Sequence, residues 1–128
     1  MLPTRNRLRR SEDFTDAVRR GARGGARRVV VHVAGSGPSA PASDRDENPV
    51  LVGFVVPRAV GDAVSRNRVK RRLRHVMRDR VSQLWPGTRI VVRALPAASR
   101  ATSAELARDV DVALHKAQRR GARSSVNR

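Results

Sequence analysis

The sequence predicts one small α+β domain in which helices pack against a sheet. Its 128 residues lie within the usual length of a single domain, and 39% of them are hydrophobic, which is enough for one core. Apolar residues recur with helical spacing in some segments and form short β-branched runs in others. In chain order, these segments predict an α-β-β-α-β-α arrangement within residues 1–120.

The first predicted element is a helix that begins at Ser11. Serine is a favourable N-cap, and the two acidic residues that follow it favour the first turn of a helix. Phe14, Ala17 and Val18 then lie at positions i, i+3 and i+4. Gly21 ends this pattern. Judged by spacing alone, Phe14 and Val18 are core positions.

Two strands and a loop are predicted to follow this helix. Residues 29–33 form a β-branched run that is typical of a strand. Residues 35–49 are rich in Gly, Ser, Pro and Asp and lack apolar periodicity, so they predict a flexible loop. Residues 50–56 are nearly all apolar, which predicts a central strand buried on both faces and ended by Pro57.

The C-terminal half is predicted to contain two helices and one strand. An amphipathic pattern predicts a helix over residues 65–84, closed by Trp85 and the Pro-Gly pair after it. Residues 88–94 predict a strand, and Thr or Ser at 102–103 predicts the cap of a last helix. Residues 121–128 are expected to be a disordered basic tail.

The charge of the chain predicts a polyanionic partner. There are 28 Lys and Arg residues against 11 Asp and Glu residues, giving a formal net charge of +17. Only Lys70 and Lys116 are lysine, so the other cations are arginine, whose planar fork suits phosphate oxygens. Nucleic acid is therefore the expected partner.

Several other classes of protein and site are excluded by composition. The chain has no cysteine, which removes disulfides, thiol catalysis and thiolate zinc sites. It has no apolar stretch near the roughly 20 residues of a transmembrane helix, and its N-terminus lacks the apolar core of a signal peptide. We therefore expect a cytoplasmic protein with no membrane partner.

The most informative segment is the basic run at residues 66–80. As a helix, it would place its apolar residues on one arc and its cations over most of the remaining surface. Like charges four residues apart, such as Lys70 and Arg74, destabilise an isolated helix, so a neutralising partner is expected. Arg66 and Arg68 would lie in the first turn, where the helix dipole disfavours cations. A phosphate bound by the free N–H groups of that turn and by both guanidinium groups would compensate for this cost, so we predict a phosphate site there.

Two blocks of this sequence resemble the bacterial ribonuclease P protein family. Residues 52–74, VGFVVPRAVGDAVSRNRVKRRLR, are similar to the family's core motif, and residues 5–14, RNRLRRSEDF, are similar to its N-terminal pattern. The resemblance implies a subunit of a ribonucleoprotein endonuclease that removes 5′ leaders from precursor tRNA. It further implies that the RNA subunit carries catalysis and holds Mg²⁺, that no other protein is obligatory, and that the fold has a left-handed βαβ crossover.

The resemblance also implies which residues contact RNA. Side chains that match the basic motif, and would contact the RNA subunit, are Arg58, Arg66, Asn67, Arg68, Lys70, Arg71 and Arg74. Side chains that match the cleft for the 5′ leader are Phe14, Val18 and His32. The family often has aromatic residues where this chain has Val18 and His32, so leader contacts here are expected to be more electrostatic. Pro57 and Ala59 depart from the family pattern beside Arg58.

Two other functions can be weighed against the types and spacing of the residues. A protein nuclease would need paired carboxylates or a histidine with an orienting acid, and the acids cluster at 12–16, 44–47 and 105–111 without metal-binding spacing. We therefore assign no catalytic residue to the protein. A basic ribosomal or nucleoid protein is the stronger alternative, and the two family-like blocks argue against it.

Overall fold

The protein is described by a computed structural model over residues 2–8, 17–19, 21–35 and 49–126. Within these residues it has four strands and two long helices, and residues 17–19 are also helical. The elements are β1 (Ala22–Gly25), β2 (Val29–Ala34), β3 (Leu51–Val55), α1 (Ala63–Arg78), β4 (Arg89–Ala94) and α2 (Ser103–Val126). The α+β prediction is confirmed. The predicted helix start with Phe14, and most of the predicted loop, lie outside the described residues.

The four strands form one mixed sheet in the order β1-β2-β4-β3. β2 is antiparallel to both of its neighbours, whereas β3 and β4 are parallel and are connected through α1. The βαβ unit of this fold is thus formed by β3, α1 and β4. The left-handed crossover expected for this unit stays a prediction.

The prediction that residues 50–56 form a central strand is wrong, because β3 lies at an edge of the sheet. Its outer side is covered by the N-terminal segment of the chain. The Leu8 N–H donates to the Val52 carbonyl at 2.9 Å, and Asn6 Nδ2 donates to the Val50 carbonyl at 2.9 Å. This cover lets an edge strand carry the apolar sequence of a buried one.

β1 is not among the predicted strands, because two of the four residues in its sequence ARGG are glycine, which is depleted in strands. β1 pairs with β2 in an antiparallel ladder from Ala22 opposite Val33 to Gly25 opposite Val30. A Cβ on Gly24 would lie 2.0 Å from the backbone oxygen of Ala113, so only glycine allows α2 to pack this closely on the strand.

Both helices pack on the same face of the sheet and form the main core with it. This core combines apolar residues of the central strands with the buried arcs of α1 and α2, among them Val31, Val92, Leu73, Leu106 and Val110. On the opposite face, which we call the second face, Leu8, Ala17 and Val91 form a smaller cluster. The helical residues at 17–19 therefore lie over the second face.

The helix ends refine three predictions. The cap of the last helix is confirmed: Thr102 Oγ1 accepts from the Glu105 N–H at 3.1 Å, and Glu105 Oε1 accepts from the Thr102 N–H at 3.0 Å. α1 ends at Arg78 instead of residue 84, and Trp85 is 45% exposed, so it does not seal the helix end. α2 runs to Val126, into the range predicted as a tail, and the disorder of that tail stays a prediction.

No helix among the described residues is long and apolar enough to span a membrane.

Candidate nucleic-acid interface

Helix α1 separates an apolar arc from a basic surface, as its sequence predicts. Val69, Leu73, Val76 and Met77 are buried in the main core. The remaining surface carries the predicted contact residues, which we call the basic face: Arg66, Asn67, Arg68, Lys70, Arg71 and Arg74. No ion pair connects any of these side chains to a carboxylate among the described residues.

The basic face has a half-buried flank and an exposed centre. Arg66, Lys70 and Arg74 are spaced four residues apart along the flank and are partly buried. The Nε atoms of Arg66 and Arg74 are buried and have no hydrogen-bond partner. Arg68 and Arg71 are exposed. The flank therefore holds two partly buried guanidinium groups, each with an Nε–H that makes no hydrogen bond within the described residues.

Two other arginines of this segment are used inside the protein. Arg72 Nη1 donates to the Ala101 carbonyl at 2.6 Å, at the start of α2. Arg80 forms two hydrogen bonds to the Asp111 carboxylate, at 2.6 and 3.0 Å, and a third to the Val76 carbonyl. These bonds lower the pKa of Asp111 and raise that of Arg80. A count of cations along the helix would have assigned both arginines to RNA.

The predicted phosphate site at the start of this helix is wrong in its geometry. α1 begins at Ala63, two residues before the predicted start, so Arg68 lies beyond the first turn. Asp62 caps the helix, and its Oδ1 accepts from the Ser65 N–H at 2.8 Å. This bond lowers the pKa of the Asp62 carboxyl, with smaller contributions from Arg68 and Arg66. The Asp62 carboxylate thus takes one of the N–H groups that were expected to bind phosphate.

Arg58 lies in a short 3-10 turn at Arg58–Val60, directly before α1, and is exposed. The turn ends at Gly61, and the Gly61 N–H donates to the Arg58 carbonyl at 3.1 Å. This places Arg58 close in sequence to the first residues of the basic helix, and its contact with RNA stays a prediction.

The second face of the sheet contains the predicted cleft residue His32. In the strand register, His32 lies between Arg23 of β1 and Val91 of β4, opposite to the side on which Val31 and Val33 enter the main core. The side chain is 8% exposed, and its Nδ1 atom has no hydrogen-bond partner. Burial lowers the pKa of His32, and the nearby charges of Arg23 and Arg93 lower it further. The imidazole is therefore neutral at pH 7.

The other two residues predicted for the leader cleft are Val18 and Phe14. Val18 lies in the helical segment 17–19 and is 47% exposed, while its neighbour Ala17 packs against the second face. Phe14 lies outside the described residues. Arg23 and Arg93, which flank His32 on this face, were not singled out from the sequence; the alternation of Arg93 with buried Val92 and Ala94 is the signal that reveals it.

The described residues contain no group of three or more His, Asp or Glu side chains that could hold a metal ion. Three of the described acids, Glu105, Asp109 and Asp111, lie on α2 and pair with Arg28 or Arg80. The described part of the chain therefore does not fit a metal site.

Comparisons with known proteins agree with this arrangement. The family model described as Ribonuclease P matches residues 2–118. A relative from Streptomyces avermitilis, named Ribonuclease P protein component, is 55% identical over 123 residues, which are 96% of this chain and 100% of that protein. A relative of the same name from Beutenbergia cavernae is 58% identical over 114 residues, 89% of each chain.

Solved structures give the same result for the fold. The RNase P protein from Staphylococcus aureus superposes with a TM-score of 0.70 at 22% identity, covering 86% of this chain and 93% of that one. The RNase P protein from Thermotoga maritima superposes with a TM-score of 0.66 at 25% identity, covering 88% and 96%. Together with the family match, these comparisons decide against the ribosomal or nucleoid alternative.

Proposed function

Since this chain belongs to the ribonuclease P protein family and is thus the protein component of an endoribonuclease, we propose a division of labour between its two surfaces. The basic face of α1 binds the RNA subunit. The second face of the sheet, with His32, Arg23 and Arg93, binds the single-stranded 5′ leader of precursor tRNA. Catalysis belongs to the RNA subunit, which holds most of the Mg²⁺, and the ribonucleoprotein acts in the cytoplasm.

The observation that carries this proposal is the separation of used and unused cations along residues 66–80, in α1 and the turn that follows it. Arg72 and Arg80 each bind protein acceptors at 2.6 Å, whereas the basic face has no carboxylate partner among the described residues. Like charges on one helix repel one another unless a polyanion neutralises them. Structured RNA supplies phosphates for these cations and releases condensed counterions when they bind.

The second face supports a role in binding single-stranded RNA. Its floor has a neutral, buried imidazole with an unused Nδ1 atom, and arginines at Arg23 and Arg93 on either side. Both arginines are exposed, and arginine planes can stack on bases or bind phosphates. The face thus offers two accessible cations around a buried, uncharged imidazole.

The salt dependence of RNA binding tests the role of the basic face. The Arg68→Gln, Arg71→Gln double variant removes two exposed cations, each of which adds about 0.9 to the log–log salt slope if it binds a duplex phosphate. We expect affinity for the RNA subunit to fall and the slope to decrease by about 1.8. Arg72→Gln is the matched control on the same helix and should keep the wild-type slope. An unchanged slope in the double variant, or an equal decrease in the control, contradicts the proposal.

A further inference from the structure

The outer edge of β1 carries two cations from α2 that neither the basic face nor the second face includes, and they lie next to Arg23 of the second face. Arg23 projects from β1 on the same side as His32. From α2, Lys116 Nζ donates to the Gly25 carbonyl at 3.2 Å, and Arg120 Nη1 donates to the Arg23 carbonyl at 2.8 Å. We call Arg23, Lys116 and Arg120 the β1-edge row.

Lys116 and Arg120 of the β1-edge row are held in place and accessible at the same time. β1 is an edge strand, so alternate carbonyls point away from β2, and two of them orient these cations. Lys116 and Arg120 nevertheless stay exposed, and each has further N–H donors that the carbonyl contact does not use. No carboxylate among the described residues pairs with any member of the row.

The row is continuous with the second face through Gly25. Gly25 lies opposite Val30, on the same face as Arg23 and His32, and a Cβ added there would meet no atom within 4 Å. The floor at Gly25 is therefore bare backbone in open space, next to the carbonyl that Lys116 binds. A polynucleotide strand on the second face can cross β1 here without displacing any side chain.

We propose that the β1-edge row is a second electrostatic subsite for the 5′ leader, which binds phosphates of leader nucleotides beyond those on the second face. This inference rests on the proposed function, because it requires the leader to lie on the second face. The occupant is single-stranded RNA: the row is a line of cations beside an open path, and it lacks an apolar surface for a protein partner. The subsite acts only when the leader is long enough to reach the edge.

Leader length tests the subsite in the reconstituted holoenzyme. Binding is measured against salt for precursor tRNAs with leaders of about four and about twelve nucleotides, within the range that one single-strand site spans. Two single-strand phosphates add about 1.4 to the salt slope, so the advantage of the long leader should fall about sevenfold for a fourfold rise in salt. In the Lys116→Gln, Arg120→Gln variant, the two leaders should give equal slopes.

Arg108→Gln, Arg119→Gln is the matched control, because both residues are exposed on α2 and no hydrogen bond joins either side chain to β1 within the described part of the chain. It should keep the difference between the leaders. Equal slopes for both leaders in the wild type, or an equal loss in the control, overturns the subsite. The subsite would also be overturned if the Lys116→Gln, Arg120→Gln variant self-associated while the difference in salt slope between the two leaders stayed unchanged. The row would then serve only to prevent another chain from pairing with the edge of β1.

A second pair of variants blocks the path without touching the row. Gly25→Glu places a negative charge in the open space, and Gly25→Gln places a neutral side chain of similar size there. We expect Gly25→Glu to weaken binding of the long leader more than of the short one, with Gly25→Gln close to the wild type. If both leaders lose affinity equally, the subsite is wrong while leader binding on the second face stands. If precursor and mature tRNA are bound alike by the wild type, the proposed function itself fails.

Discussion

Replacing Gly24 by alanine tests whether the close packing of α2 on β1 holds the fold together. The added Cβ would lie 2.0 Å from the Ala113 oxygen and 2.7 Å from the Ala117 nitrogen, both backbone atoms of α2. An ordinary contact is at least 3.4 Å, so the helix and the strand must separate by about 1.4 Å. α2 supplies Leu106 and Val110 to the main core, so this shift disturbs packing along the sheet.

Overpacking of this kind costs about 1–3 kcal/mol, and we expect the upper end because neither backbone atom can rotate away. Gly25→Ala is the control one residue later: its Cβ meets nothing within 4 Å, and alanine is favoured over glycine in a strand by about 0.5–1 kcal/mol. Urea unfolding, followed by the fluorescence of Trp85 in sulfate buffer that screens the +17 charge, measures both variants. Equal stability of the two variants would refute the packing argument.

Two further predictions concern residues expected to bind the leader. Burial, Arg23 and Arg93 lower the pKa of His32, so below pH 6.5 the unfolded chain binds a proton that the folded chain resists, and stability should fall as the pH drops. His32→Gln should reduce that pH dependence in urea titrations, and an identical dependence in both proteins would contradict it. Phe14→Ala should weaken the preference for precursor over mature tRNA by about 1–3 kcal/mol if Phe14 stacks on a leader base. If thermal stability drops instead and the preference survives, Phe14 is a core residue.

The sequence predicts where the helices and strands lie along the chain better than it predicts which elements pack next to one another. Helical spacing and β-branched runs locate both long helices and three of the four strands, because these patterns are local. The position of β3 at an edge depends on Leu8 and Asn6, which come from more than 40 residues away. The local pattern does not predict β1, because two of its four residues are glycine. Gly24 is required by its close contact with α2, which comes much later in the sequence.

For the candidate site, too, the sequence predicts local patterns but not contacts between elements. The amphipathic pattern identifies the basic face of α1, since every cation outside the apolar arc is reachable from solvent on an isolated helix. It does not reveal that Arg72 and Arg80 bind Ala101 and Asp111, because those acceptors lie on another element. It also misses the cap at Asp62, three residues before the predicted first turn.

The arrangement of the second face follows from strand register. His32 lies between Val31 and Val33, and Arg93 lies between Val92 and Ala94, all of which face the main core, so the direction of both side chains is predictable once the strands are known. Their proximity depends on the pairing of β2 with β4, which no local pattern specifies.

Reconstitution of cleavage tests the central claim most directly. The purified protein, freed of RNA, is assayed on precursor tRNA with Mg²⁺, alone and together with the ribonuclease P RNA, at low ionic strength. We expect no cleavage by the protein alone and accurate removal of the 5′ leader when the RNA subunit is present. Mg²⁺-dependent cleavage by the protein without RNA, or no effect of the protein on cleavage by the RNA, would contradict the account.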